Sequence, residues 1–293
     1  MGHLVVIGAR NTLLTVGLAL SQLAHAQMTT AQVKDPRPVA AAALMLEAAY
    51  GVPITYEDPL AVNESQLEDV TEQVQRTPDP SHRVIVQKQV AMSFSYMKLD
   101  TNSRLEHRSE QRQAEIEADV SSALSNVLQN YAVAGGPVTF SVTEENGVFH
   151  ILPRNFLNKR GRPQQMSPVL DTKLTIAPKP RSRQTLLNEI VQGVTQTTGI
   201  RVVVGTIPFN ANIMEKQTSI SGTDVTARSL LIRLLDELSA PVPQKAPELD
   251  SIDKKSMQNA VVKGSSSPLS WRLLYGPGWG YALNIHQVSA ASQ

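Results

Sequence analysis

Histidines and carboxylates are the side chains of this chain that could carry catalysis, because it contains no cysteine. Hydrolysis needs a nucleophile beside a base, or a set of metal ligands. Beyond residue 26 the histidines are His82, His107, His150 and His286. None of them belongs to a metal-binding spacing such as His-Glu-x-x-His. We therefore predict that the protein is not an enzyme and holds neither a metal ion nor a cofactor.

Two of these histidines lie on segments that have the pattern of closing strands. His150 stands between Phe149 and Ile151, and His286 follows Ile285. Side chains alternate between the two faces of a strand, so both histidines are predicted to point outward from their apolar neighbours. A metal ion or a pH-sensitive contact shared by the two histidines is the alternative.

A glycine-rich segment, Gly-Pro-Gly-Trp-Gly, runs from Gly276 to Gly280. A phosphate-binding loop opens a helix whose first amides hold the anion. This segment instead joins two predicted strands and has no Lys-Ser or Lys-Thr after it, which argues against nucleotide binding. Trp279 and Tyr281 at its tip are candidate interaction residues, since aromatic side chains are favoured interface anchors. The alternative is that Trp279 folds back on its own sheet.

The charged residues give no catalytic pattern. Carboxylates such as Glu57 and Asp58 are adjacent in the sequence, and adjacent residues on a strand or helix do not face one site. The net charge of +1 provides no overall field that would attract nucleic acid. A basic cluster fits either contact with acidic envelope polymers or a solvated linker, and it consists of Lys159, Arg160, Arg162, Lys179, Arg181 and Arg183.

The first 26 residues have the pattern of a secretory signal peptide. Arg10 precedes a short apolar run, and Ala24-His25-Ala26 supplies small residues before Gln27. We predict cleavage near Ala26–Gln27 and a periplasmic or secreted product, with an uncleaved membrane anchor as the alternative. The apolar residues before Arg10 leave open whether Met1 is the true start. Without cysteine the signal cannot be that of a lipoprotein, and no later segment is predicted to cross a membrane.

Two stretches of the chain share one pattern. Each begins with a helix whose apolar residues recur at spacings of three and four, followed by a glycine and a β-branched strand. The glycines are Gly51 and Gly199, which suit the left-handed conformation that ends a helix. A second helix, predicted to begin at Asp119 in one stretch and at Asp224 in the other, is followed by a hairpin in both. The pair Asn146-Gly147 is typical of a tight hairpin turn.

The sequence therefore predicts an α+β protein of two tandem two-layer units, each with the order helix, strand, helix and hairpin. The first unit covers 27–152 with an insertion at 59–118, and the second covers 172–293 with a flexible loop at 240–268. Residues 153–171 form the predicted linker. Apolar residues at alternate positions of the insertion indicate a strand or a hairpin with one apolar face, and they are Val84, Val86, Val90, Met92, Phe94 and Tyr96.

The second unit resembles the short N-terminal domain of secretins and TonB-dependent receptors (the STN domain). The resemblance lies in 187–204, 217–238 and 270–288, and the first unit is similar to the same domain, which suggests two tandem copies. The resemblance implies small periplasmic two-layer α+β domains that bind other proteins or themselves. The whole chain also resembles exported two-unit proteins of acidobacterial type, a likeness that implies no particular activity.

We therefore expect an exported, non-catalytic envelope protein that acts as a protein-interaction module. Its sheet edges or its insertion would form the contact surface, because an unpaired edge accepts an added strand. The expected contact residues are Val84, Val86, Phe94, Tyr96, Trp279 and Tyr281. The alternative is a periplasmic protein that binds a small molecule or a glycan between the two units.

Overall fold

The computed structural model describes residues 27–60, 66–74, 82–98, 110–158, 161–208, 211–240 and 268–289. The predicted signal peptide, His107, Lys159, Arg160, parts of the predicted insertion and most of the predicted loop at 240–268 lie outside the described residues. Within the described ranges the protein combines helices and strands, and it is an α+β protein as the sequence predicts.

Residues 27–157 are called the first half. Its helices are α1 (Pro38–Tyr50), α2 (Thr71–Val74) and α3 (Glu110–Val133). Its strands are β1 (Gln27–Asp35), β2 (Ile54–Glu57), β3 (Leu67–Asp69), β4 (Ile85–Gln87), β5 (Val90–Lys98), β6 (Val138–Glu145) and β7 (Val148–Leu157).

Residues 163–289 are called the second half. Its helices are α4 (Arg183–Thr198), α5 (Ala211–Met214) and α6 (Ala227–Ser239), with a 3-10 turn at Val169–Asp171. Its strands are β8 (Pro163–Gln165), β9 (Lys173–Ile176), β10 (Arg181–Ser182), β11 (Val202–Val204), β12 (Gln217–Thr218), β13 (Gly222–Thr226), β14 (Leu269–Gly276) and β15 (Gly280–Gln287).

One mixed sheet, called the joint sheet, runs through both halves in the order β11-β15-β14-β2-β7-β6, and β8 pairs with the last part of β7. The halves meet where β14 runs parallel to β2. On each side of this junction the pairing has the same order. In the first half β2 is parallel to β7, and β7 is antiparallel to β6. In the second half β11 is parallel to β15, and β15 is antiparallel to β14.

Two hydrophobic cores lie on opposite faces of the joint sheet. Tyr56 belongs to the core with α1 and α3, whereas Trp271 and Leu273 belong to the core with α4 and α6. Arg272 stands between Trp271 and Leu273 and pairs with Tyr56, so Tyr56 faces away from the second core. The faces of β2 and β14 that point away from their own helices are therefore covered by the other half.

Each half has two pairs of strands outside the joint sheet, of which the shorter are β3–β4 and β10–β12 and the longer ones contact the helices. The longer pairs are β1–β5 in the first half and β9–β13 in the second half, both antiparallel. The helices of each half contact its longer pair as well as the joint sheet. Each half therefore has three layers with its helices in the middle, whereas the sequence predicts two, because the sequence does not show that these strands pair with each other away from the joint sheet.

The predicted turns after the helices and in the first hairpin are present. Gly51 and Gly199 end α1 and α4 with φ of 68° and 72°, in the left-handed region. Asn146 and Gly147, with φ of 55° and 74°, connect β6 to β7. Positive φ at both central residues matches the twist of a two-residue hairpin.

The predicted starts of the second helices are wrong. Asp119 lies inside α3, which begins nine residues earlier. Thr226 caps α6, and its side chain accepts a hydrogen bond from the Ser229 N–H. Asp224 precedes this cap within β13, with φ of 57° at an irregularity in the strand register.

The predicted insertion and linker contain more secondary structure than the sequence indicated. The expected strand or hairpin from Val84 to Tyr96 is divided between β4, which pairs with β3, and β5, which pairs with β1. The expected linker at 153–171 contains the end of β7, β8 and the 3-10 turn. The described residues of this connection therefore pack against the halves that they join.

Candidate functional site

Buried charges gather at the junction of the two halves, and Glu47 of α1 is at their centre. The Glu47 side chain is 3% exposed. Its Oε2 accepts a hydrogen bond from Arg272 Nη2 at 2.6 Å and lies 2.9 Å from His286 Nε2, while Oε1 accepts the Ile54 N–H at 2.8 Å. Burial alone raises the pKa of Glu47, but Arg272 and His286 outweigh burial and lower it. The carboxylate is thus ionised and joins α1 to the second half.

A second buried carboxylate, Asp58, follows β2. It accepts hydrogen bonds from Arg37 Nε at 2.6 Å, from the Tyr56 hydroxyl at 2.7 Å and from the Tyr275 N–H at 2.8 Å. Arg37 also donates to the Tyr275 carbonyl at 2.7 Å, and the Tyr281 hydroxyl donates to the Asp58 carbonyl at 3.0 Å. Burial raises the pKa of Asp58 despite the guanidinium beside it.

Glu57 is the third buried carboxylate of the junction, on the face opposite Tyr56. It accepts the Val169 N–H and lies 3.2 Å from Arg228 Nη2. Arg228 is shared with Asp171, whose Oδ1 is 2.8 Å from the same nitrogen. Burial raises the pKa of Glu57 to about 7, against the opposing effect of Arg228. All three carboxylates are therefore occupied by contacts between the halves.

The structure corrects the prediction for His150 and His286 in one respect, because the face on which they lie is not open to solvent. His150 is fully buried, its Nδ1 is 2.7 Å from Thr55 Oγ1, and its ring centroid is 5.6 Å from that of Trp271. Burial lowers the pKa of His150 to about 3, so the ring is neutral at neutral pH. His286 contacts Glu47 instead of solvent alone. Both rings point away from the core of their own half, but the other half covers that face.

The described residues provide no metal centre. Within them, no three His, Asp or Glu side chains are placed to hold one ion. None of the helices in this part of the chain is long and apolar enough to cross a membrane.

The described members of the predicted basic cluster have different environments. Arg181 is buried and pairs with Glu189. Arg183 Nε lies 3.7 Å from Glu237 Oε2, and Arg162 is exposed.

The predicted contact residues of the second hairpin have different environments. Trp279 is 43% exposed and covers Gly276, where an added Cβ would collide with the indole ring. Its ring thus folds back on the strand end and also presents an open face. Tyr281 is 2% exposed inside the second core, beside Tyr275. The side chain of Tyr281 is therefore not available to a partner.

The predicted contact residues of the insertion are also divided. Phe94 is 1% exposed in the first core, and Tyr96 packs against it with ring centroids 6.0 Å apart. Val84 is half-buried, and Val86 on β4 is exposed. Phe94 is unavailable because β5 lies over α3 and turns this face of the strand inward.

A free sheet edge is present at β6, which the sequence did not single out. β6 is an end strand of the joint sheet and is eight residues long. The Phe149 N–H donates to the Pro53 carbonyl on the β2 side, so the backbone groups of Phe149 point away from β6. Glu144 lies opposite Phe149, and Val142 lies opposite Ile151, which has the same orientation as Phe149. The N–H and C=O groups of Glu144 and Val142 therefore point outward. No strand in the described part of the chain pairs with this edge.

A cleft lies between the two halves and is lined by residues of both. Its cavity volume is about 290 Å³, and it is partly open to solvent. Its walls come from the end of α1, the β6–β7 turn and α6, and they include Tyr50, Asn146, Ile232, Ser239 and Trp271.

Sequence reasoning missed the pairing of Glu47 with Arg272, although a signal was present. Glu47 is the one charged residue of α1, and Arg272 is the one charged residue of β14. A single charge within an apolar element indicates a buried ion pair, since an unpaired charge in that place is costly. The sequence does not say which two charges meet.

No protein-family model, curated protein or solved structure matches the chain.

Proposed function

We propose that the protein is an exported, non-catalytic envelope protein of two tandem STN-like units that binds another protein through the free edge of β6. One observation carries the proposal: β14, which has the same place in the second half as β6 in the first, is already paired on the corresponding edge by β2. The fold thus uses this kind of edge for strand pairing. Strand addition gives affinity through main-chain hydrogen bonds.

The tandem arrangement is supported by the shared order of strand pairing and by the shared glycine ends of α1 and α4. Export is supported by the signal-peptide pattern of residues 1–26. A non-catalytic role is supported by the junction carboxylates and His150, whose contacts lie within the protein.

The proposed edge can be tested with a displayed library of unstructured peptides. Glu144→Pro removes an outward N–H and leaves the hydrogen bonds to β7 intact, because proline is tolerated where the N–H faces outward on an edge strand. Glu144→Gln changes the side chain alone and is the matched control. We expect selected peptides to bind the wild type and Glu144→Gln equally, and Glu144→Pro at least tenfold more weakly.

Thermal unfolding must first show that both variants fold. Peptides that do not distinguish the folded proline variant from the control would contradict binding at β6.

The cleft supports a second candidate, a binding site for a small molecule or a glycan between the halves. Its volume is at the lower limit of that of ligand sites, which are about 300–1,000 Å³. A ligand that binds only the folded state raises the melting temperature. Amino acids and N-acetylglucosamine oligosaccharides are suitable probes, with Ser239→Trp as the variant that fills the cleft. A melting shift equal in the wild type and in Ser239→Trp, or none with any probe, counts against this candidate.

A further inference from the structure

The two halves place equivalent residues at equivalent positions of the joint sheet. Ile54 stands three residues after Gly51, and Val202 three residues after Gly199. Ile54 pairs with Phe149, and Val202 with Tyr281. Counting from these pairs along the hairpins, the β6 residues Ser141 and Val142 correspond to Arg272 and Leu273 of β14.

The β14–β2 junction shows how such an edge accepts a strand. The Leu273 carbonyl accepts the Asp58 N–H at 2.8 Å, so β14 directs its backbone toward a parallel neighbour. Beside the hydrogen bonds between β14 and β2 lies the carboxylate of Glu47, which belongs to α1, the helix that precedes β2. The carboxylate binds Arg272 on β14 and His286 on β15, on the face away from the second core. The pairing thus combines a parallel strand with a carboxylate that is held by Arg272 and His286.

β6 and β7 offer the same two features to a strand from outside. Val142 and Glu144 direct backbone groups outward, as Leu273 does. Arg154 follows Phe149 in β7 by five residues, as His286 follows Tyr281 in β15. Its Nε donates to Ser141 Oγ at 2.6 Å on the face away from the first core, and it forms no ion pair with any described residue. A partly exposed guanidinium therefore stands at the position that His286 has at the junction, where His286 contacts the Glu47 carboxylate.

A second copy of this chain does not supply the matching strand. β2 is already occupied by β14, which leaves β11. β11 is only three residues long, and the Thr195 hydroxyl of α4 already accepts its Val202 N–H at 3.0 Å, so the first outward donor of this edge is capped. Thr195 stands four residues before Gly199, as Glu47 stands four residues before Gly51. The position of the Glu47 carboxylate is therefore taken by an uncharged side chain in the second half. Capped edges resist strand addition.

We infer that the β6 edge takes one strand of a different protein, parallel to β6, with a carboxylate beside that strand bound by Arg154. This inference rests on the proposed function and adds the direction of the strand, the charge of the partner and a one-to-one stoichiometry.

The chain itself supplies a probe, a synthetic peptide with the sequence of residues 47–58, which carries the Glu47 carboxylate and the β2 strand. A nitroxide at the peptide N-terminus reports its direction in spectra of the isotope-labelled protein. We expect the Val142 and Glu144 amide signals to shift, and line broadening to be strongest near Val138. Broadening strongest near Glu145 means an antiparallel strand and overturns the inference.

The charge is tested by a double-mutant cycle. The peptide with Glu47→Gln should bind the wild-type protein at least threefold more weakly than the unchanged peptide, and Arg154→Gln in the protein should remove that difference. A peptide of residues 195–206, which has Thr195 at the carboxylate position, is the matched control and should bind like the Glu47→Gln peptide. Equal binding of all peptides to the wild type overturns the role of Arg154.

Whether a second copy of the chain occupies β6 is tested by sedimentation of the protein alone. A monomer is expected, whereas a dimer that Glu144→Pro dissociates means that a second copy occupies β6. The two levels of proposal fail separately. If library peptides need the Glu144 N–H but bind antiparallel to β6, or bind without a carboxylate, the proposed function stands and this inference is refuted. If no peptide distinguishes Glu144→Pro, the proposed function itself fails.

Discussion

The ion pair between Glu47 and Arg272 provides a sharp test of how the two halves are held together. Arg272→Met retains much of the side-chain volume but leaves a carboxylate that is 3% exposed with His286 and one backbone amide as its partners. Glu47→Gln leaves a buried guanidinium without its counter-ion. Breaking a buried pair by removing one partner costs about 3–5 kcal/mol. We expect the free energy of unfolding to fall by this amount for Glu47→Gln, and by the lower value for Arg272→Met because His286 remains.

The measurement is equilibrium unfolding in urea, followed by circular dichroism and by tryptophan fluorescence. Both tryptophans, Trp271 and Trp279, are in the second half, so fluorescence reports on that half and circular dichroism on the whole protein. Because the carboxylates couple the halves, the two signals should change together. The double variant should lose less than the sum of the single losses, by about 1–3 kcal/mol, since the residues are in contact.

A matched control is Arg233→Met, which alters an exposed arginine of α6 that donates to a backbone carbonyl. Surface substitutions of this kind usually change stability by about 0.5 kcal/mol or less. If Glu47→Gln and Arg272→Met cost no more than this control, the pair does not hold the junction. Two separate transitions in the wild type would likewise refute the coupling of the halves.

Three further changes test the core, the junction and a turn. Leu231→Asp, which buries an unpaired charge in α6, should abolish cooperative thermal unfolding of the second half, and a retained cooperative transition would show that this helical face is misassigned. Burial raises the pKa of Glu57 to about 7 from the usual 4.5, so the folded state favours the protonated form. The stability that this group contributes is full below pH 4.5 and falls by about 3 kcal/mol as the pH rises through 7. Urea titrations at pH 5 and pH 8 measure this loss. Glu57→Gln should remove this part of the difference between the two pH values. Gly280→Ala should destabilise the protein more than Gly135→Ala, because φ is positive at both but only at Gly280 does an added Cβ meet a backbone carbonyl; equal melting temperatures would contradict this.

The sequence by itself determined the local elements of the fold. Apolar spacing identified α1 and α4, and glycines fixed their ends at Gly51 and Gly199, because these signals act over a few residues. The Asn146-Gly147 turn followed from backbone preferences in the same way. The α+β composition was therefore readable from the sequence, whereas duplication, export and protein binding remain proposals.

The tertiary structure alone decided which edges are paired and which faces are covered. His150 has the pattern of an outward residue, yet it is buried because the other half lies on that face. β5 was expected to offer an edge, and it pairs with β1 on one side, whereas the end strand of the joint sheet is β6, which the sequence did not indicate. Strand partners far apart in the sequence are chosen by backbone pairing and long-range packing, and the residue pattern of a single strand carries no record of its neighbour. The meeting of Glu47 with Arg272, 225 residues away, has the same origin.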